Sequence, residues 1–221
     1  DSDSFFHEVE NFRIAAGTAE GEVRGNPYGD GDFYKLLEGM ACAGLPQEQL
    51  EAYFQLIAKA QQPDGYLSTK QIIGERVSNG ITRHSDVDDF EEYNFGHLFT
   101  AACVIARETG SHTMLDVAAR VGDYLEAYYA RALAGESAQT AVCPSHYMGL
   151  AEMYRQTGDE RYLDMLKTAI ALRDKVTHGT EDNQDRIPLR DQRVISGHAV
   201  RATYLYAGVT DLYLETGDET L

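Results

Sequence analysis

Three segments of this 221-residue chain share one pattern, in which a histidine near the start is followed by a Thr-Gly pair near the end. The first two copies also share the string Arg-x-Thr-Gly-x-x-x-x-Leu-Asp, and the three threonines, Thr109, Thr157 and Thr216, lie 48 and then 59 positions apart. Repeats of this length are typical of stacked units of secondary structure. Because glycine readily adopts the left-handed conformation that ends a helix, the repeat predicts helix–turn–helix hairpins.

Apolar residues recur at steps of three and four along most of the chain, which predicts helices that each turn one face to a core. No long run of alternating apolar and polar residues favours a sheet. An open solenoid of about four hairpins and an arc of a closed toroid both fit this all-α pattern. The predicted core faces contain Phe33, Leu36, Leu37 and Met40; Leu50, Tyr53, Phe54 and Ile57; Ala118, Val121, Leu125 and Tyr128; Leu163, Leu166 and Ile170; and Ala202, Leu205, Val209 and Leu212.

Three polar segments, 68–90, 133–144 and 175–196, precede the histidines of the repeat. We predict that they are long loops at one end of the helical array, where a binding site usually lies.

The third copy ends differently from the others, because the turn at Gly217 and Asp218 is followed by only three residues. We therefore expect a single helical domain over 1–221 that forms part of a larger domain and continues beyond Leu221.

The composition narrows the classes of partner. With 19 basic and 36 acidic residues, the net charge of −17 argues against a nucleic acid or an anionic membrane surface as the main partner. No apolar run is long enough to predict a transmembrane helix. Cys42 and Cys103 lie in apolar helical stretches and are predicted to be buried, reduced thiols, and with Cys143 they show no spacing typical of metal ligands.

The histidines of the repeat, His97, His146 and His198, occupy one phase of the predicted hairpins. Equivalent positions in successive hairpins lie along one rim, so we expect the three imidazoles to converge on a central cleft. Imidazoles can donate hydrogen bonds to sugar hydroxyls and accept hydrogen bonds from them. The alternative is that each histidine caps or packs its own helix. A zinc site made of the three is disfavoured, because no short-range pair of ligands supports it.

A glycine-rich turn holds Asp30 and Asp32 just before a predicted helix. Either these carboxylates cap the helix or they line the cleft. Tyr66 lies in a Pro-Asp-Gly-Tyr turn and is a candidate ring for stacking on a sugar.

A glycosidase needs two carboxyl groups that face each other across the scissile bond. Glu91 or Glu92 with Asp32 is one candidate pair, although the sequence does not single out either glutamate. Cys143 lies three residues before His146, which weakly suggests a nucleophile, since no third residue is evident that would orient the pair.

Several of these segments together resemble glycoside hydrolase family 127 and its neighbour family 146. The resemblance extends, in the order of the family, over almost the whole chain. It is carried by Asp32-Phe33-Tyr34-Lys35-Leu36-Leu37-Glu38-Gly39, Pro63-Asp64-Gly65-Tyr66-Leu67, Tyr93-Asn94-Phe95-Gly96-His97, His146 with Glu152-Met153-Tyr154-Arg155, Arg186-Ile187-Pro188-Leu189-Arg190-Asp191-Gln192 and Gly197-His198-Ala199-Val200-Arg201-Ala202.

The resemblance implies an (α/α)6-barrel catalytic domain followed by β-rich domains, in exo-acting, retaining β-L-arabinofuranosidases that act on plant-derived glycans. It also implies a cysteine thiolate nucleophile, a glutamate acid/base and a zinc ion held by that glutamate and several cysteines. These residues belong to Glu-x-Cys and Cys-Cys motifs that nothing after Gly197-His198 matches. We therefore expect the catalytic residues and the zinc ligands to lie outside this chain.

Matched motif by motif, His97, His146 and His198 are similar to the histidines that hold the hydroxyls of the terminal sugar in the family. The turn at Asp30 and Asp32 is similar to an N-terminal segment of the family's cleft. We add Tyr93, the first residue of the motif that ends at His97, as a sugar-binding residue. The partner implied is an arabinose-containing glycan.

Two departures bear on the substrate. Phe90 stands where the family usually has a histidine, and the chain contains no tryptophan. Two other classes of protein fit the repeat. One is another helical-toroid sugar enzyme, such as an unsaturated glucuronyl hydrolase or a sugar epimerase, and the other is a non-catalytic helical-repeat interaction module.

Overall fold

The computed structural model describes residues 7–135, 141–176 and 178–221, and in these ranges it contains nine α-helices and no strand. Two single 3₁₀ turns, Val87–Asp89 and Leu189–Asp191, lie in the connections. The all-α class predicted from the repeat is confirmed. The helices are α1 (Glu8–Ala15), α2 (Gly29–Cys42), α3 (Gln47–Ala60), α4 (Thr69–Val77), α5 (Glu91–Thr109), α6 (Thr113–Leu133), α7 (Ser145–Thr157), α8 (Arg161–Arg173) and α9 (Ala199–Thr216).

The helices form two layers. In one layer α2, α5, α7 and α9 pack side by side in that order, and in the other α3, α6 and α8 do the same, with α1 against α3. Consecutive helices such as α5 and α6, or α7 and α8, form the hairpins that connect the layers. The seven residues 93–99 of α5 are all buried, as expected for a helix that is covered on every side. We call the layer that contains α5 the inner layer.

The Thr-Gly pairs form three nearly identical turns. At each copy the threonine hydroxyl donates to the carbonyl four residues earlier, at 2.8, 2.7 and 2.7 Å. The same hydroxyl accepts from the amide two residues later, at 3.1, 3.2 and 3.3 Å. The glycines Gly110, Gly158 and Gly217 have φ values of 73°, 72° and 69°, which is the left-handed conformation that ends a helix. The repeat thus encodes the end of every inner helix from α5 onward.

The arginine of the repeat links neighbouring inner helices. Arg107 of α5 lies 3.3 Å from Glu152 of α7. One repeat later, Arg155 of α7 lies 2.9 Å from Asp211 and 2.6 Å from Glu215, both on α9. Glu152 and Asp211 each stand five positions before the threonine of their own copy. The shared sequence therefore reflects ion pairs that repeat in the same register between successive inner helices.

Glycines bring the inner helices close together. A Cβ on Gly96 of α5 would collide with the backbone nitrogen of His146 on α7. A Cβ on Gly149 would lie 2.7 Å from the Gly96 carbonyl oxygen, and one on Gly208 of α9 would collide with the Cβ of Tyr147. Because only glycine permits these contacts, the sequence fixes how closely α5, α7 and α9 approach each other.

The segment 68–90 is not one long loop, as the sequence predicted, because it contains α4. The reason is a tertiary contact. Asp30 is buried in α2, and its carboxylate accepts a 2.8 Å hydrogen bond from the Thr69 amide and a 2.7 Å bond from the Thr69 hydroxyl at the start of α4. The short helix is therefore stabilised by a residue almost forty positions away. The predicted loop 133–144 lies partly outside the described residues.

The thiol of Cys42 is exposed, which corrects the prediction that it is buried, because Cys42 is the last residue of α2. Cys103 in the middle of α5 is buried as predicted.

Exposed apolar residues lie on α9 and just before it, with exposed fractions of 76% for Val194 and 75% for Ile195 in the preceding segment. Val200 and Leu214 on α9 itself are 50% and 66% exposed. A groove of about 620 Å³ runs along α9, and its lining includes Ile195, Ala199 and Tyr206. None of the described helices combines the length and apolar character needed to cross a membrane.

Candidate functional site

Five polar and aromatic side chains from three inner helices meet near the start of α5. We call them the histidine–tyrosine cluster: Asp32, Lys35, Tyr93, His97 and Tyr204. The Lys35 ammonium lies 2.7 Å from the Asp32 carboxylate and donates a 3.0 Å hydrogen bond to the Tyr93 hydroxyl. The Tyr93 ring packs edge-on against the His97 imidazole, with 4.5 Å between the ring centroids. The His97 Nε2 atom lies 3.2 Å from the Tyr204 hydroxyl, which closes the cluster.

His97 is buried in this cluster. Its pKa is lowered to about 3, first by burial and then by the positive charge of Lys35. At neutral pH the imidazole is therefore uncharged, and one nitrogen donates while the other accepts. Gly31 allows the approach of α2 to this side chain, since a Cβ there would lie 2.8 Å from the Asn94 Oδ1 atom and 3.4 Å from the His97 ring.

The contact between α5 and α7 brings the backbone of His146 against Gly96, the residue before His97. The Ser145 hydroxyl donates a 2.7 Å hydrogen bond to the Tyr93 carbonyl. His146 is only 2% exposed, and its Nδ1 atom has no hydrogen-bond partner among the described residues. Burial lowers its pKa to about 4, so this imidazole is also neutral at pH 7. Buried polar atoms are usually hydrogen-bonded, and a bound water or a ligand hydroxyl would supply the missing partner of this nitrogen.

His198 differs from the other two histidines. It is exposed at the N-cap of α9, and its Nδ1 atom accepts a 3.5 Å hydrogen bond from the Arg201 amide. The capping role that the sequence left as an alternative therefore describes this residue in the structure. No contact joins it to the histidine–tyrosine cluster within the described residues, and its role in sugar binding stays a prediction.

The two carboxylates of the glycine-rich turn have different environments. Asp30 is buried, and burial is the main reason that its pKa is raised to about 6. Both of its oxygens bind Thr69, so it caps α4 and does not join the cluster. Asp32 is partly exposed beside Lys35, at the edge of the cluster.

The structure does not bring Glu91 or Glu92 together with Asp32, so the candidate pair of carboxyl groups is not formed. The Glu91 carboxylate accepts hydrogen bonds from the Tyr66 hydroxyl and, at 2.7 Å, from the His84 amide. Glu92 lies 3.6 Å from the Nδ1 atom of His84. Both glutamates therefore face the His84 segment, which lies on a different side of α5 from the cluster.

Tyr66 is fully buried in this second network, which corrects its interpretation as a stacking platform for a sugar. Its ring is covered by the Arg83 guanidinium at 4.0 Å and by Tyr124, with 4.9 Å between centroids. The turn motif fixed the backbone at this position, but burial of the ring depends on residues distant in sequence.

Cys143 is buried and has a φ of 53°. Burial raises the pKa of its thiol, against the opposing effect of Arg201. A raised pKa keeps the sulfur protonated at neutral pH, whereas a nucleophile needs the thiolate. The environment of Cys143 therefore argues against its role as a nucleophile activated by His146.

The sequence did not single out Lys35 or Tyr204 as members of the site. Lys35 stands one turn after Asp32 and was visible only as part of the Asp-Phe-Tyr-Lys motif. Tyr204 lies in the middle of α9 without any local signal, and only the packing of α9 against α7 brings it to His97.

Residues 3–221 match the family described as the β-L-arabinofuranosidase catalytic domain of glycoside hydrolase family 127. The chain belongs to this family. The match confirms the resemblance seen in the sequence motifs and favours it over the other helical-toroid enzymes and the interaction module.

A family 127 relative, the non-reducing end β-L-arabinofuranosidase of Bifidobacterium longum subsp. longum, is 33% identical over the whole chain and is covered over 38% of its own length. The crystal structure of a family 127 β-L-arabinofuranosidase from Geobacillus stearothermophilus T6 superposes with a TM-score of 0.85 at 30% identity, over 97% of this chain and 37% of that one. A further family 127 β-arabinofuranosidase structure gives a TM-score of 0.84 at 30% identity, over 96% of this chain and 35% of its own. These likenesses support the assignment of the helical arc to part of an (α/α)6 barrel.

The chain thus spans little more than a third of the length of these family 127 relatives. Within the described ranges, no three His, Cys, Asp or Glu side chains are grouped as ligands of a metal ion would be. The described residues therefore do not fit the zinc ion that the resemblance implies, and we assign no step to it.

Proposed function

We propose that this chain forms the sugar-binding side of a family 127 catalytic domain that removes a terminal β-L-arabinofuranosyl group from a glycan. The observation that carries the proposal is that two buried, neutral imidazoles, His97 and His146, lie on adjacent inner helices whose backbones meet at Gly96. The arabinofuranosidase activity of the relatives suggests the sugar, and the cluster provides hydrogen-bonding groups for its hydroxyls.

The chemistry of the cluster suits a polyhydroxylated, uncharged ligand. A neutral imidazole offers one donor and one acceptor, and a sugar hydroxyl can satisfy both kinds of atom. Lys35 and Asp32 at the edge add a donor and an acceptor. Both side chains are partly exposed, so a ligand hydroxyl can bind either of them while water still solvates the charges. The aromatic rings of Tyr93 and Tyr204 exclude water from the imidazole between them.

In this proposal the nucleophile, the acid/base and any zinc ligands lie outside these 221 residues. The chain alone then binds L-arabinose without hydrolysing an arabinofuranoside. Release of arabinose from a chromogenic β-L-arabinofuranoside by the chain alone, at roughly 1 to 1,000 turnovers per second as is ordinary for enzymes, would contradict this part of the proposal.

The binding role is tested by NMR titration of the chain with L-arabinose, read at the ring protons of His97 and His146. Saturable shifts of both rings are expected, and His97→Ala should abolish the shift at His146. The matched control is His178→Ala, which removes an exposed imidazole in a different segment and should leave the titration unchanged. A titration in which neither ring responds to L-arabinose would refute the proposed function.

A further inference from the structure

A cavity lies between the segment around His84 and the outer helix α6, away from the histidine–tyrosine cluster. Its volume is about 780 Å³, within the range of roughly 300 to 1,000 Å³ that is typical of small-molecule sites. The lining includes Arg83, His84, Tyr124 and Tyr128. None of these residues belongs to the histidine–tyrosine cluster, and the proposed arabinose site does not use them.

The wall of this cavity is built around His84, whose backbone has a φ of 53°. Its Nε2 atom lies 3.1 Å from the Tyr124 hydroxyl, and its ring stacks on Tyr128 with 3.9 Å between centroids. Glu91 accepts from its amide, and Glu92 lies beside its Nδ1 atom. A non-glycine residue in the left-handed region is retained only where its surroundings hold it, and such residues cluster at functional sites. His84 is therefore a rigid wall with a defined orientation.

Arg83, which forms another part of the cavity wall, is also held in one position by its neighbours. The Arg83 guanidinium covers the Tyr66 ring and makes ion pairs with Asp64 at 2.6 Å and with Glu75 at 3.2 Å. The guanidinium and the two carboxylates keep nitrogen and oxygen atoms on the cavity surface, with one carboxylate in excess. Tyr124 is partly exposed and presents ring surface between them.

The charge balance indicates which ligand fits. Three carboxylates, those of Asp64, Glu75 and Asp123, line the cavity together with two guanidinium groups, those of Arg83 and Arg131. This near balance, with a slight negative excess, disfavours phosphates and uronates. Aromatic surface beside oriented polar groups suits a neutral sugar, whose C–H faces pack on rings while its hydroxyls bind the polar atoms.

We propose that this cavity is a second carbohydrate site, which binds a neutral glycosyl residue of the glycan other than the arabinofuranosyl group held at His97. The inference depends on the proposed function in one respect, namely that the ligand of the protein is a glycan. The two sites flank one helix terminus: Glu91 and Glu92 of the first turn of α5 contact His84, and His97 follows on the same helix. A single oligosaccharide or two separate chains can then be held by the same rigid element.

The test uses the 221-residue chain with two probes, L-arabinose and an arabinotriose. Ring signals of Tyr124 and Tyr128 report on the cavity, and those of His97 report on the arabinose site. Arabinotriose is expected to shift both groups of signals. Ala127 lines the cavity on the exposed side of α6, so Ala127→Phe should fill it and weaken the response of Tyr124 by about tenfold, or about 1.4 kcal/mol. Ala130→Phe, on the same helix but outside the lining, is the matched control and should behave as the wild type.

The outcomes separate the two proposals. If arabinotriose shifts His97 but leaves Tyr124 and Tyr128 unchanged, the second site does not exist and the proposed function stands. If Ala127→Phe and Ala130→Phe respond alike, the observed binding is elsewhere and the inference is wrong. A stronger response of Tyr124 to galacturonic acid than to arabinotriose would overturn the assignment to a neutral sugar.

Discussion

The hydroxyl of Tyr204 lies 3.2 Å from the Nε2 atom of His97, although 107 positions separate them in the sequence. Tyr204 belongs to α9 and His97 to α5, and α7 packs between these two helices in the inner layer. Tyr204 also packs against the cluster formed by Tyr93, Val142 and Cys143, two of which lie just before α7. The pair therefore joins α5 to α9 beside the N-terminal end of α7.

Removal of the Tyr204 hydroxyl tests whether it orients His97 for binding. Tyr204→Phe keeps the ring in place but leaves the Nε2 atom without its partner, so we expect about fivefold weaker binding of L-arabinose, equivalent to about 1 kcal/mol. The dissociation constant is read from the His97 ring signals in an NMR titration. Tyr213→Phe changes a tyrosine that is 43% exposed elsewhere on α9 and serves as the control. Unchanged or tighter binding by Tyr204→Phe would show that the hydroxyl does not position the imidazole.

Alanine substitutions at Gly96 and Gly39 should have opposite effects on the free energy of unfolding, because only Gly96 is in close contact with a neighbouring helix. Gly96→Ala places a methyl group against the backbone nitrogen of His146, where no flexible side chain can move aside, and should lower the free energy of unfolding by about 3 kcal/mol or more. Gly39→Ala adds a methyl group within helix α2 where nothing lies within 4 Å, and should raise the free energy of unfolding by up to about 1 kcal/mol. Urea unfolding measures both. Equal effects of the two substitutions would contradict the close packing of α5 on α7.

The ion pairs of Arg155 predict a stability that depends on salt. Arg155 contacts Glu152 of its own helix and both Asp211 and Glu215 of α9. Because these groups are partly exposed, we expect Arg155→Ala to lower the free energy of unfolding by only about 1 kcal/mol, and by less in 1 M salt. Lys167→Ala, which removes one exposed pair with Asp164, should have a smaller effect. A loss that does not change with salt would mean that Arg155 acts through packing and not through charge.

The buried carboxyl of Glu91 predicts a pH dependence with a definite sign. Its pKa is raised to about 7, mainly by burial, whereas in the unfolded chain it is about 4.3. Between these values the folded chain binds the proton and the unfolded chain does not, so the stability contributed by Glu91 is present at pH 4 and is lost as the pH rises through 7. Glu91→Gln resembles the protonated form at every pH.

Relative to Glu91→Gln, the wild-type chain should therefore lose about 3 kcal/mol of unfolding free energy between pH 4 and pH 8. The difference is measured by urea unfolding of both proteins across this range. It cancels the contributions of Asp30, His97 and His146, and it contains those of Glu91 and of its neighbours His84 and Glu92. A difference that is constant with pH would show that Glu91 titrates near its ordinary value.

Helices and their ends were the part of the fold that could be predicted from local sequence. The Thr-Gly turns follow from glycine conformation and from a threonine hydroxyl that bonds within its own turn, so each copy predicts its own geometry. Helix α4 could not be predicted in this way, because its first turn is held by Asp30 of another helix. The same contact explains why Asp30 does not line the cleft.

The candidate site was only partly predictable for the same physical reason. Motif resemblance drew attention to His97, His146 and His198 alike, since a motif records position along the chain and not what surrounds a side chain. Burial and contacts with other helices then made them different. His146 is enclosed without a partner for one nitrogen, whereas His198 caps the helix that follows it.

The sequence by itself determined the family, the all-α class and the spacing of the hairpins, because helix periodicity, turn conformation and small residues at contact points act over a few positions. Only the tertiary structure decided that Lys35 and Tyr204 join His97, that Tyr66 is buried behind Arg83, and that a cavity lies beside His84. These facts depend on the distances between side chains on different helices. Such distances are set by the packing of the whole arc and leave no local pattern in the chain.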